Sequence, residues 1–171
     1  MPPLNTWSYD TLGLEFRAMT TLSQLFQVVQ VDDGGQLFIS AAIDQWTPIA
    51  EFGIDVVIDL EGGLDACIPT LTNSCLYIYF PITDDNEEEP PMPRLRAIAR
   101  LSASLIREGH RVLSHCGMGF NRSAFVAGLI LMELGMPGSE AVERLRERRP
   151  GALFNDKFAE VLCRRVGGYE E

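Results

Sequence analysis

The segment from Arg111 to Gly135 constrains the fold more than any other part of this chain. It reads RVLSHC, then GMGFN, then RSAFVAGLILMELG. The first part has the composition of a short buried strand, and the middle part contains two glycines. The last part is apolar on nearly all sides, which indicates a helix in the middle of the core. A strand that passes through a glycine loop into a buried helix is typical of an α/β domain with a mainly parallel sheet.

Sequence patterns elsewhere in the chain also predict the strands and helices of an α/β domain. Two β-prone runs flank the aspartates and glycines at 32–35 and predict a β-hairpin within Phe26–Ser40. Two apolar runs, Ile54–Leu60 and Cys75–Ile82, predict further strands. Apolar residues at helical spacing within Leu95–Ile106 predict a helix. We therefore predict a single α/β domain whose sheet has about five strands, opens with a hairpin and carries helices on both faces.

The carboxyl-terminal part of the chain predicts two more helices. Ser139 is expected to cap the first of them. The run RLRERR at 144–149 ends that helix, where positive charge suits the helix dipole, so it predicts a solvated basic face. The second helix is expected to begin near Asn155 and to include Phe158.

Length and charge limit the classes of function. The 171 residues suffice for one domain and are too few for two of ordinary size. The chain has 24 acidic and 14 basic residues and a formal net charge of −10. Binding through a nucleic-acid backbone needs clustered Lys and Arg, so this charge argues against a nucleic-acid partner. We expect a monomeric globular protein.

The sequence also predicts where the protein works. Its amino terminus has no basic region followed by an apolar core, as a secretion signal would have. The longest apolar run, Ala124–Met132, is well short of the roughly 18 to 20 residues that span a bilayer. We therefore expect a cytoplasmic protein without membrane contact, in which the four cysteines are reduced.

The glycine loop predicts an anion site with a reactive thiol. Cys116 and Arg122 alone are close to what chance supplies, so their surroundings carry the argument. Gly117 and Gly119 allow the backbone to turn its N–H groups inward, and the following helix points its positive dipole end at the loop. The same field stabilises negative charge on the Cys116 sulfur, which favours a nucleophile. Arg122 can hold two phosphoryl oxygens with its planar fork, which a lysine cannot match.

The sequence HCGMGFNRS resembles the His-Cys-x5-Arg-Ser/Thr signature of the cysteine-dependent protein tyrosine phosphatase superfamily, and within it the small dual-specificity phosphatases. The resemblance covers about Gly35–Val166. It implies a phosphatase catalytic domain, for which we expect residues 26–171, preceded by an N-terminal extension at 1–25. It also implies hydrolysis of phosphomonoesters without a metal or other cofactor.

The resemblance assigns roles to residues of the loop. It implies that Cys116 forms a phosphocysteine, that Arg122 clamps the phosphate and that Ser123 stabilises the leaving thiolate. His115 would be buried behind the loop and orient it through hydrogen bonds. The remaining loop residues would bind the substrate phosphate or an oxyanion like it; they are Gly117, Met118, Gly119, Phe120 and Asn121.

A carboxylic acid must protonate the leaving alcohol or phenol, and the dual-specificity enzymes place an aspartate about thirty residues before the cysteine. Asp84 lies 32 residues before Cys116, and Asp85 lies 31 before it. The sequence FPITD resembles the family's pattern of an apolar residue, Pro, two residues and Asp, so Asp84 is favoured over Asp85. Asn155 and Phe158 resemble the start of the family's carboxyl-terminal helix.

The substrate class follows from charge. The loop interior has no lysine, and the segment 84–89 is strongly acidic. Both features disfavour polyanionic lipids and favour one phosphate on a protein side chain, at tyrosine and also at serine or threonine. Alternatives are an RNA 5′-triphosphatase, because GFNR at 119–122 resembles the loop of that family, a small-molecule phosphatase, a non-catalytic phosphate-binding module, or sulfur or arsenate chemistry. Cys67 and Cys75 are read as packing residues, with reversible disulfide formation to Cys116 as the alternative.

Overall fold

The computed structural model describes residues 28–164, so the predicted extension at 1–25 lies outside the described residues. Within them the chain forms five strands and five helices. The strands are β1 (Val29–Gln30), β2 (Leu37–Ser40), β3 (Val56–Asp59), β4 (Leu76–Tyr79) and β5 (Val112–His115). The helices are α1 (Thr47–Glu51), α2 (Met92–Arg107), α3 (Arg122–Glu133), α4 (Gly138–Arg148) and α5 (Asp156–Cys163).

The five strands form one sheet in the order β1-β2-β5-β3-β4. β1 pairs with β2 antiparallel, and the other neighbours are parallel, which confirms the predicted hairpin and the mainly parallel sheet. The Asp32 carboxylate closes the hairpin by accepting hydrogen bonds from the backbone N–H groups of Gln36 and Leu37. β5 lies in the centre, buried along its whole length. Its carboxyl end therefore opens between the ends of β2 and β3.

The core has two parts, one on each face of the sheet. The larger part surrounds α3, in which every residue from Ser123 to Leu131 is buried, and includes side chains of α2, α4 and α5. The smaller part lies under α1 and includes Phe38, Ile49 and Leu113. Helices on both faces confirm the predicted architecture. No helix in residues 28–164 is both long and apolar enough to cross a membrane.

The start of α4 differs from the prediction. The helix begins at Gly138 after Pro137, and no side chain caps it, so Ser139 lies in the first turn and is not the cap. The reason is a close backbone approach between α4 and α5. A Cβ atom at Gly138 would lie 1.9 Å from the Leu162 carbonyl oxygen, so packing against α5 decides where α4 begins.

Candidate active site

The loop at 116–121 joins the central strand to the buried helix and is fixed against the end of β2. The Cys116 N–H donates to the Ser40 carbonyl at 3.4 Å, and the Ala42 N–H donates to the Gly117 carbonyl at 3.4 Å. Gly119 has φ +72°, and a Cβ atom there would lie 2.5 Å from the Ala41 nitrogen. Only glycine fits this position without strain, because the conformation is left-handed and backbone occupies the space a side chain needs.

The Cys116 thiol lies inside this loop, with 2% of the residue exposed. Its Sγ accepts a hydrogen bond from the Gly119 N–H at 3.3 Å and lies 3.5 Å from the Ser123 hydroxyl oxygen. Both groups can donate to a thiolate, and the amino terminus of α3 directs its positive dipole end to the same region. The structure thus brings together Cys116 and Ser123, as the sequence predicts, with the Gly119 N–H and the Ser123 hydroxyl both close to the sulfur.

The Arg122 guanidinium is held by the segments that follow β3 and β4. Its Nη1 donates to the carbonyl oxygens of Leu60 at 3.1 Å and Ile82 at 3.3 Å. Its Nη2 donates to Oε2 of Glu61 at 2.6 Å. The buried Nε has no hydrogen-bond partner among residues 28–164. An oxyanion in the loop would supply that partner, which is the chemistry that the sequence assigns to this residue.

Glu61 is a residue of the site that the sequence analysis missed. It directly follows β3 and accepts hydrogen bonds from Arg122 and from the Gly117 backbone N–H. Its partial burial raises its pKa, but these hydrogen bonds outweigh that effect, so the pKa of Glu61 lies below its ordinary value. Glu61 therefore places a negative charge beside the guanidinium and orients it. Its position after a buried strand was the signal that could have found it.

His115 is fully buried behind the loop, as expected, but no hydrogen bond from its ring to the loop is found in residues 28–164. Its ring instead contacts a cluster of polar side chains that the sequence did not predict. Its Nε2 lies 2.9 Å from Asp65 Oδ2 and 3.7 Å from Asp59 Oδ1. The Tyr77 hydroxyl lies within hydrogen-bond distance of both carboxylates, at 2.6 Å from Asp59 and 2.8 Å from Asp65. Burial lowers the pKa of His115 despite the two nearby carboxylates. Burial, together with the contact to Asp59, raises the pKa of Tyr77.

Three residues of this cluster have the geometry of a metal site. The ligand atoms of Asp59, Asp65 and His115 lie within 4.8 Å of one another, and no other such group is found in the described part of the chain. The carboxylates already have the Tyr77 hydroxyl as a hydrogen-bond partner. His115 is the last residue of β5 and directly precedes Cys116, so the group lies at the strand end from which the loop begins.

Arg149 contradicts the predicted solvated face. The residue is only 4% exposed, its guanidinium lies 4.3 Å from the centre of the Phe120 ring, and it donates to the Met118 carbonyl at 3.2 Å. Burial lowers the pKa of Arg149, an effect opposed by the charge of Cys116. The prediction is wrong for Arg149 because the helix ends at Arg148 and Arg149 has extended backbone, which turns the chain toward the loop, whereas Arg146 and Arg148 are exposed as predicted. Of the loop's bulky residues, Met118 is exposed, whereas Phe120 packs on Arg149.

Asp84 is linked directly to the loop, and Asp85 is not. Its carboxylate accepts hydrogen bonds from the side-chain amides of Asn121 at 3.0 Å and Asn155 at 2.9 Å. The Asp85 carboxylate instead accepts the N–H of Glu87 within its own segment. The side chain of Asn121, expected among the groups that bind substrate, is thus engaged with Asp84. The contact of Asn155 with Asp84 was not predicted.

The other cysteines lie outside this arrangement. All four are free thiols. Cys75 packs against the smaller part of the core, as predicted, and burial raises the pKa of its thiol. Cys67 is exposed. A disulfide between either residue and Cys116 stays the alternative hypothesis.

Comparisons with known proteins show the family and the fold of this chain. The family model "Dual specificity phosphatase, catalytic domain" matches residues 37–165. No curated protein sequence matches the chain at a significant level. Among solved structures, human DUSP28 is similar with a TM-score of 0.67 and 22% identity, covering 80% of this chain and 90% of that one.

Two further structures have the same fold. Tk-PTP in its active form has a TM-score of 0.64 and 27% identity, covering 81% of this chain and 97% of its own. The human tyrosine phosphatase-like serine/threonine/tyrosine-interacting protein has a TM-score of 0.64 and 23% identity, covering 79% and 92%. The family match spans four of the five strands, β2 to β5, together with the glycine loop and the five helices of the described residues. The chain therefore belongs to the family of dual specificity phosphatase catalytic domains.

Proposed function

We propose that this protein is a cysteine-dependent protein phosphatase that hydrolyses phosphotyrosine, and also phosphoserine and phosphothreonine, through a phosphocysteine intermediate. The observation that carries the proposal is the placement of three groups around one loop. These are the Cys116 sulfur with an amide donor, the Arg122 guanidinium with an unpartnered Nε, and the Asp84 carboxylate tied to the last residue of the loop.

In the first step the Cys116 thiolate attacks phosphorus, an S–P bond forms and the bond from phosphorus to the leaving oxygen breaks. The loop N–H groups and Arg122 stabilise the charge on the other phosphoryl oxygens. Asp84 donates its proton to the leaving oxygen. The product alcohol or phenol then departs and leaves a phosphocysteine.

In the second step a water molecule attacks the phosphocysteine. The Asp84 carboxylate accepts a proton from that water, and the S–P bond breaks. The Ser123 hydroxyl, 3.5 Å from the sulfur, stabilises the departing thiolate by donating a hydrogen bond. Inorganic phosphate is released, and the enzyme returns to its starting state with no net redox change and without a metal ion.

Charge supports a phosphoprotein substrate over an RNA 5′-triphosphate. The loop interior carries no cation besides Arg122, and the exposed segment at 84–89 contributes several carboxylates near Asp84. The resemblance to RNA triphosphatases includes Asn121, but in this fold that side chain is 2% exposed and bonds to Asp84. It is therefore engaged inside the protein and not available to additional phosphates.

The substrate class can be tested with a panel. We expect phosphotyrosine peptides to be hydrolysed fastest, phosphothreonine peptides more slowly, and inositol phosphates and triphosphorylated RNA at the rate of the Cys116→Ser blank. Release of inorganic phosphate at equal substrate concentrations measures this. Faster hydrolysis of RNA than of any peptide would replace the proposed substrate. If the protein bound phosphate but hydrolysed no substrate of the panel, a non-catalytic phosphate-binding module would be favoured. If it converted only thiosulfate or arsenate, sulfur or arsenate chemistry would be favoured.

The assignment of the general acid can be tested with two matched variants. We expect Asp84→Asn to lower kcat for phenyl phosphate by roughly 10² to 10³-fold, because the leaving phenolate is no longer protonated. The loss should be much smaller for an aryl phosphate whose phenol is strongly acidic. Asp85→Asn removes a neighbouring exposed carboxylate and should change kcat less than about 3-fold. The reverse pattern, a leaving-group effect in Asp85→Asn alone, would move the role to Asp85.

A further inference from the structure

We propose that Asn121 and Asn155 are positioning residues that together hold Asp84 over the loop in the place from which it donates its proton. This inference rests on the proposed phosphatase function. The two amides come from different parts of the chain, one from the glycine loop and one from the start of α5. Each donates to a different oxygen of Asp84, Asn121 to Oδ2 and Asn155 to Oδ1. Both oxygens of the carboxylate are therefore held by hydrogen bonds.

The orientation of both amides is determined by a second contact. The Asn121 Oδ1 accepts the backbone N–H of Asn155 at 3.0 Å, and the Asn155 Oδ1 accepts the N–H of Phe158 at 3.3 Å, where it caps α5. Because each amide oxygen faces a backbone donor, each amide nitrogen must face Asp84. Both side chains are almost fully buried, at 2% and 4% exposure. The two amides that hold Asp84 are therefore fixed in the buried part of the protein, although Asp84 itself lies on an exposed segment.

The contacts also couple the acid to the phosphate site. Asn121 is the N-cap of α3 and directly precedes Arg122. The residue that holds Asp84 and the residue that would bind the phosphate are therefore neighbours in the chain. A general acid must lie within hydrogen-bond reach of the leaving oxygen, and small displacements of such groups are costly. The segment at 84–89 is also attached to α5 by Lys157, which donates to the Glu87 carbonyl at 3.0 Å and pairs with the Glu89 carboxylate at 3.4 Å. That attachment does not touch Asp84, which makes Lys157 a suitable comparison.

The test uses Asn121→Asp and Asn155→Asp. Each substitution keeps the oxygen that accepts the backbone N–H and replaces the donor to Asp84 with a second oxygen. We expect kcat for phenyl phosphate to fall by about 10 to 100-fold in each variant, whereas kcat for an aryl phosphate with a strongly acidic phenol should fall less than about 3-fold. Asn155→Ser, which keeps a helix cap without a charge, should show the same selectivity. Lys157→Met should leave both rates within about 2-fold of the wild type.

A double-mutant cycle separates positioning from a structural role. In an Asp84→Asn background, the Asn121 and Asn155 substitutions should cause no further loss for phenyl phosphate, because the group they position is gone. The proposal would be overturned if kcat fell equally for both leaving groups, or if the losses were additive in the Asp84→Asn background. It would also be overturned if both asparagine variants kept the wild-type ratio of kcat for the two aryl phosphates. The parent function has a separate criterion: if Cys116→Ser retained full activity, the phosphatase mechanism would fail whatever the asparagines do.

Discussion

Cys116→Ser is expected to lower kcat on phosphotyrosine peptides by roughly 10⁴ to 10⁶-fold, the range lost when an essential nucleophile is removed. The Gly119 N–H donates to the Cys116 sulfur, whereas a serine hydroxyl in the same place is a much weaker nucleophile toward phosphorus than a thiolate. The loop donors and Arg122 are unchanged, so the variant should still bind the substrate phosphate.

Two measurements check this expectation. Steady-state release of phosphate gives the loss of kcat, and calorimetric titration with a phosphotyrosine peptide gives a dissociation constant that should stay within about 10-fold of the wild-type KM. Cys163→Ser, which replaces an exposed thiol at the end of α5, is the matched control and should keep full activity. If Cys116→Ser turned over substrate at the rate of that control, the sulfur would not be the nucleophile.

The second large effect is expected from Arg122→Lys, which should lower kcat/KM by roughly 10³-fold. The guanidinium holds its position by donating from Nη1 to two carbonyl oxygens and from Nη2 to Glu61, and it still has Nε for an anion. An ammonium group keeps the charge but has no planar fork, so it cannot make these contacts and hold two phosphoryl oxygens together. Both kcat and the affinity for phosphate should decrease.

Arg111→Lys provides the comparison for this variant. Arg111 lies immediately before β5, at the other end of the strand from the loop, and its exposed guanidinium donates to the Phe52 carbonyl. The substitution should change kcat/KM less than about 2-fold. Inhibition by inorganic phosphate measures the binding component separately and should weaken only in Arg122→Lys. A lysine at 122 with near wild-type kcat/KM would show that charge alone suffices there.

The site was predictable where its signals are local in sequence. Cys116, Gly119 and Ser123 lie within one strand, loop and helix, so a short stretch of residues specifies both the backbone turn and the groups around the sulfur. Asp84 could be proposed from a family spacing, and the structure links it to Asn121 at the end of the same loop. These interpretations needed no knowledge of long-range contacts.

Contacts that reach the site from far along the chain were missed. Glu61, which was not predicted at all, is 61 residues from Arg122, and Asn155, which was predicted only as a helix start, is 71 residues from Asp84. The run that includes Arg149 reads as an ordinary basic helix end, and only the turn after α4 shows that its guanidinium is buried against Phe120. A basic residue at a helix end has the same local pattern whether water or an active site surrounds it. The position of Glu61 after a buried strand indicates the edge of the sheet where sites lie, but not its contact with Arg122.

The sequence by itself determined the α/β class, the hairpin and the strand-loop-helix unit around Cys116, because apolar periodicity and glycine conformations act over a few neighbouring residues. Tertiary structure alone decided how the site is held. The strand order places β5 between β2 and β3, so the ends of both neighbours meet the loop. The packing of α5 against α3 and α4 brings Asn155 to Asp84. Such positions depend on how distant segments pack together, which a local pattern of residues does not encode.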